Sequence, residues 1–106
     1  MPGTDYPLGA PHAFDIPMKF DTIPPPGEGP LALFSDDQSA ARKLTAKAMS
    51  EMWATFARTG HPGARDQPAW PAYSEARRAT MFIDARSYVV DDPDQPLRLL
   101  WERYRK

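Results

Sequence analysis

The chain contains no cysteine, which excludes disulfide staples, thiolate nucleophiles and zinc held by thiolates. It also lacks an excess of either charge. Thirteen Lys and Arg stand against fourteen Asp and Glu, for a formal net charge of -1, so nothing draws the chain to nucleic acid or an anionic membrane over long range. No apolar run is long enough to span a bilayer, and Met1-Pro2-Gly3-Thr4-Asp5 lacks the basic start and apolar stretch of a secretory signal. The expectation is a soluble, cytoplasmic chain. Large aliphatic residues are scarce as well: Leu, Ile, Val and Phe number 17, while 15 alanines make up much of the 42% hydrophobic share. A core built from so few large side chains is thin, although three Trp and four Tyr add burial. The 106 residues allow at most one domain, and this composition suits a partial domain that leans on something else.

What the chain has in abundance is proline. Thirteen in 106 residues is more than double the usual share of about 5%. Eight fall in residues 1–35, at positions 2, 7, 11, 17, 24, 25, 26 and 30. They remove backbone donors and forbid helix interiors, so this part is expected to be irregular loop. Phe14, Ile16, Met18 and Phe20 alternate with Asp15, Pro17 and Lys19, which predicts a short extended run confined to a sheet edge by Pro17. Pro24-Pro25-Pro26-Gly27-Glu28-Gly29-Pro30 follows as a polyproline-like connector.

Residues 36–106 carry the regular structure. Ala41, Leu44, Ala48, Met49, Met52, Trp53 and Phe56 recur at three-four spacing, predicting a long amphipathic helix over about 37–59. Ser35 with Gln38 fits a capping box, and Gly60 followed by Pro62 supplies the stop. The β-rich runs Thr80–Asp84 and Ser87–Asp91 flank Ala85-Arg86, predicting a hairpin over about 80–91 with a two-residue connection. A last helix over about 94–104 is either capped by Asp92 with Pro93 at its first position or starts near Asp94 with Pro96 inside the first turn, and presents Leu97, Leu100, Trp101 and Tyr104 on one face. Taken alone, the chain is α+β.

Chemistry concentrates at one residue. His12 sits between small residues and turn-formers in Gly9-Ala10-Pro11-His12-Ala13-Phe14-Asp15-Ile16-Pro17, and imidazole is the side chain suited to proton transfer near neutral pH. His61, in Gly60-His61-Pro62-Gly63, reads as an exposed turn residue without a role. A metal held by His12, Asp15 and His61 is a poor reading, because a proline-rich loop and a long helix separate the two histidines and leave no ligand spacing. No metal and no cofactor are expected.

Four signatures then fall in order: Gly9–Pro17 around His12, Met52–Pro62 at the end of the long helix, Trp70-Pro71-Ala72-Tyr73, and Thr80-Met81-Phe82-Ile83-Asp84. Together they resemble the C-terminal part of the type-B carboxylesterases, the cholinesterase-like and para-nitrobenzyl-esterase-like branch of the α/β-hydrolases, over residues 8 to about 91. The resemblance implies an α/β-hydrolase C-terminal fragment and ester hydrolysis through an acyl-enzyme. It makes His12 the general base of a Ser-His-Glu or Ser-His-Asp triad. Asp15 matches an acidic position three places after that histidine; it is not the triad acid and reads as a loop-ordering acceptor. None of the five serines, at 35, 39, 50, 74 and 87, lies in Gly-x-Ser-x-Gly, and no Gly-Gly run is present for an oxyanion hole. Because the hydrolase order is serine, acid, histidine, this stretch carries one third of a triad. By itself the chain is expected to be inactive, and an ester substrate would be met only by a complete site. The expected partner is the rest of the hydrolase domain. The rival reading is a non-catalytic, hydrolase-derived interaction module that self-associates through Leu44, Met52, Trp53 and Phe56 or binds a partner there. Neither reading involves nucleic acid or a membrane.

Overall fold

A computed structural model describes residues 12–27 and 37–105. Its elements are α1 (Ile16–Lys19), α2 (Ala40–Thr59), β1 (Ala79–Phe82), β2 (Tyr88–Asp91) and α3 (Gln95–Glu102). The alternating apolar pattern around Pro17 does not form an extended run. It forms α1, because Pro17 occupies the first helical turn, where its missing N–H costs nothing and its fixed φ is already helical. Lys19 pairs with Asp15 across that turn, the Ile16 amide donates to the Ala13 carbonyl at 3.1 Å, and the Thr22 amide donates to Pro17 O at 2.9 Å. Pro17, read from sequence as the residue limiting a strand, becomes one of the two largest fully buried side chains, with Met52.

α2 is the long helix that the three-four spacing requires, but it starts three residues later than expected. Ser35 lies outside the described residues. The cap is Ser39, whose Oγ accepts the Arg42 amide at 3.1 Å, while its own amide donates to Asp37 Oδ1 at 2.8 Å. Gln38 Nε2 donates to Pro24 O at 2.9 Å and ties the proline connector to the helix entrance. At the far end Gly60 takes φ 76°, and its amide closes on Phe56 O at 2.8 Å. α1 packs on α2, and Ala46, Ala48 and Met52 are the buried residues of α2. Leu44, Trp53 and Phe56 remain exposed, at 55%, 44% and 56%. Leu44 and Trp53 are nine residues apart, which at about 100° per residue puts them on opposite sides of the helix. They do not share one face.

β1 and β2 pair antiparallel in the register Ala79↔Asp91 to Phe82↔Tyr88. The hairpin is present, but residues 83–87 connect its strands in place of the two-residue turn. Ala85-Arg86 lacks the Asn-Gly or Asp-Gly chemistry of a tight turn, and side chains brace the longer loop instead. Ser87 Oγ donates to Asp84 O at 3.1 Å, and the Ala85 amide donates to Asp84 Oδ1 at 2.7 Å. Gln67 clasps the loop from outside: its Nε2 donates to Ala85 O at 3.3 Å, and its Oε1 accepts the Ser87 amide at 3.0 Å. Phe82 and Tyr88 stack at the loop end of the hairpin, with ring centroids 5.2 Å apart.

α3 begins after Asp94, so Asp94 rather than Asp92 is its cap residue. Asp92 does another job, receiving Arg98 in a two-point ion pair at 2.5 and 3.2 Å, while Arg98 also reaches Glu102 at 2.7 Å. α3 buries none of its residues. The chain exposes 8359 Å², whereas a compact monomer of its mass exposes about 6000 Å². Among the described residues, secondary elements pack only as α1 on α2 and as β1 with β2.

Candidate functional site

His12 opens the turn that leads into α1, and its side chain is exposed. The next residue, Ala13, takes φ 69°, a left-handed conformation uncommon for a residue with a Cβ. That kink lets the Ala13 carbonyl face back to the Ile16 amide. The turn continues into a helix anchored by buried Pro17. His12 is thus carried, exposed, on a short segment whose base is packed against α2.

Asp15 turns toward Lys19, one helical turn on, and the two form an ion pair. The hydrogen bond from Lys19 holds the Asp15 carboxyl below its ordinary 3.8 against the opposing effect of desolvation, with a smaller contribution from the charge of His12. Lys19 is the residue that sequence reasoning missed. Its signal is the four-residue spacing from Asp15, which carries meaning only if the segment is helical. His61 is exposed in the turn after α2, its amide bound to Thr59 Oγ1 at 3.1 Å. Among the described residues no group of three His, Asp or Glu side chains is arranged to hold a metal ion.

Local structure occupies most of the serine hydroxyls. Ser39 caps α2, Ser74 Oγ accepts the Arg77 amide at 3.2 Å, and Ser87 braces the hairpin loop. Ser50 lies within α2, and Ser35 is outside the described residues. A second feature joins distant parts of the sequence: Trp53 and Phe56 of α2, Pro62 after it and Trp70 beyond line an open apolar groove of about 370 Å³. Among the described residues no helix is long and apolar enough to cross a membrane.

No family model matches the chain. Comparison with individual proteins is more informative. The chain is 29% identical to the para-nitrobenzyl esterase of Bacillus subtilis over 87 residues, which is 82% of this chain and 17% of that protein. It is 40% identical to human carboxylesterase 5A over 47 residues, 44% of this chain and 8% of that one. The crystal structure of the Geobacillus stearothermophilus carboxylesterase EST55 at pH 6.2 superposes on 92% of the chain at a TM-score of 0.71 and 34% identity. The chain is a relative of the type-B carboxylesterases. It spans a fifth or less of the length of these relatives. A structure of the para-nitrobenzyl esterase agrees, covering 83% of the chain at a TM-score of 0.69 and 27% identity. The helices and the hairpin are therefore part of an α/β-hydrolase fold of the carboxylesterase type. That part is small, which accounts for the thin core and the large exposed surface.

Proposed function

We propose that the chain is the histidine-bearing part of a carboxylic-ester hydrolase and that His12 is its general base. The observation that carries this reading is the exposed His12 on its anchored turn, within a chain whose match to a solved carboxylesterase extends over 92% of its length. In the proposed reaction the imidazole of His12 accepts the proton of a serine hydroxyl as that oxygen attacks the ester carbonyl. It returns the proton to the departing alkoxide, leaving an acyl-enzyme, and then activates water for the second half. The serine, the carboxylate that orients the imidazole and the oxyanion donors come from the rest of the hydrolase domain, which is the proposed partner. Asp15, committed to Lys19, keeps the turn in shape and takes no part in proton transfer.

The test is a chimaera in which this chain replaces the matched segment of the Bacillus subtilis para-nitrobenzyl esterase. It should turn over p-nitrophenyl acetate, and His12→Ala should lower kcat by at least about 10⁴-fold. A chimaera that folds and whose activity ignores His12→Ala overturns the assignment. The chain alone should release p-nitrophenol no faster than free imidazole at the same concentration. Saturable turnover lost in His12→Ala would instead mean that this chain holds a complete site.

A further inference from the structure

The turn that carries His12 also carries a carboxylate that could compete for it. Asp15 follows His12 by three positions, near enough for the charge of the imidazole to act on the carboxyl. Opposite charges at such range favour each other's ionised form, so a free carboxylate here would hold the imidazole protonated. The fold spends that carboxylate elsewhere. The left-handed Ala13 and the bond from the Ile16 amide to the Ala13 carbonyl start a helical turn, and the Lys19 amide donates to the Asp15 carbonyl at 2.8 Å. Buried Pro17 fixes that turn on α2. One helical turn then sets the Lys19 ammonium on the Asp15 carboxylate as an ion pair. Among the described residues, the charges acting on Asp15 are those of Lys19, on its own element, and His12; α2, on which α1 packs, supplies none of them.

We propose that Lys19 is a positioning residue for His12: by occupying the Asp15 carboxylate, it keeps that group off the imidazole and leaves His12 to be oriented by the carboxylate of the rest of the hydrolase domain. The proposal rests on the reading of His12 as general base. A base must be neutral to take the serine proton and must face the serine when it does. An uncompensated Asp15 opposes both, drawing the imidazole toward itself and keeping it charged. With Lys19 in place the pair is neutral as a whole, and its field at His12 is largely cancelled.

The test is a proton NMR titration of the two histidines in the purified chain, with circular dichroism confirming that each variant keeps α2. Lys19→Met keeps the side chain long and removes its charge. It should move the His12 titration midpoint to higher pH by roughly 0.3 or more, while His61, in the turn beyond α2, serves as the internal reference and stays in place. Lys19→Arg should leave His12 where it is, and the double variant Asp15→Asn/Lys19→Met should bring it back. The displacement in Lys19→Met should shrink at about 1 M salt, where the Debye length is about 3 Å. A midpoint unmoved by Lys19→Met overturns the proposal. So does a double variant that stays displaced, or a displacement that salt leaves whole, since either means a rearranged turn in place of a freed charge. In the chimaera, the acid limb of the kcat/KM profile should follow the midpoint in Lys19→Met. A midpoint that moves while the limb of an active chimaera stays still overturns His12 as the base and leaves the pairing intact, so the two failures are told apart.

Discussion

The two halves of the molecule are held together by different physics. In the first, α1 and α2 enclose Pro17, Ala46, Ala48 and Met52, and apolar burial sets the geometry on which His12 is carried. In the second, burial is limited to alternate positions of β1, Ala79 and Met81, together with Ser87. Its shape depends on polar clasps: Gln67 on the hairpin loop, Arg77 on Asp91 at 2.8 Å, and Arg98 between Asp92 and Glu102. α3 hangs from the last of these with no buried residue. Apolar packing resists acid and salt, whereas paired charges depend on protonation and screening. The half that presents the histidine is therefore the one whose fold depends less on solution conditions.

Removing a core side chain should break the comparison most severely. Met52→Ala leaves a void in a core with few other large members and should cost about 2–5 kcal/mol. Urea denaturation followed by circular dichroism should show α2 lost at lower denaturant. Gln67→Ala should act on the other half alone. It strips hydrogen bonds from Ala85 O and from the amide of buried Ser87, at a cost of about 1–3 kcal/mol. Hydrogen exchange should quicken in the hairpin and stay unchanged within α2; acceleration in both would show that the halves are one cooperative unit. Gly60→Ala has open space for its new Cβ, so its expected cost of about 1 kcal/mol comes from the left-handed backbone alone. That loss should appear as a modest fall in the melting temperature.

The ionic contributions come last. Arg98 holds the Asp92 carboxyl below its ordinary 3.8, chiefly by hydrogen bonding. A carboxyl depressed in the folded state contributes fully above its unfolded value, and the contribution is lost as pH falls through the folded value. Acidification below pH 3.8 should accordingly release α3 while α2 stays helical, and Asp92→Asn should produce the same release at neutral pH, both read by hydrogen exchange of the α3 amides. The Asp15–Lys19 pair obeys the same sign. The pair is solvent-accessible and spans one helical turn, so Lys19→Ala should leave the melting temperature of the chain essentially unchanged. Its effect should be confined to the His12 turn.

The sequence alone makes some of these features legible. Helix α2 with its stop at Gly60 and the pairing of two β-rich runs follow from local rules. Apolar spacing reports a helix whatever it packs against, and glycine tolerates a left-handed cap anywhere. The failures are equally specific. Alternation around Pro17 reads as a strand, yet a proline in the first turn and a lysine four residues after an aspartate favour a helix once Pro17 has α2 to pack against. The cap of α2 is Ser39, braced by Asp37 and Arg42, which the apolar spacing does not single out. The single apolar face assigned to Leu44, Met52, Trp53 and Phe56 dissolves once the residues are set around the helix, since only Met52 is buried.

By itself, the sequence determined the residue types: one histidine on a proline-flanked turn, no thiol, no nucleophile motif, a long helix and a hairpin. Only the tertiary structure decided which of those residues meet. It buried Pro17 and Met52 together, left α3 bare, joined Trp53, Phe56, Pro62 and Trp70 into one groove, and set Lys19 rather than His12 against Asp15. The reason is physical. Spacing and caps express energies between neighbours in the chain, whereas burial and ion pairing express energies between neighbours in space, and those depend on where every other element comes to rest.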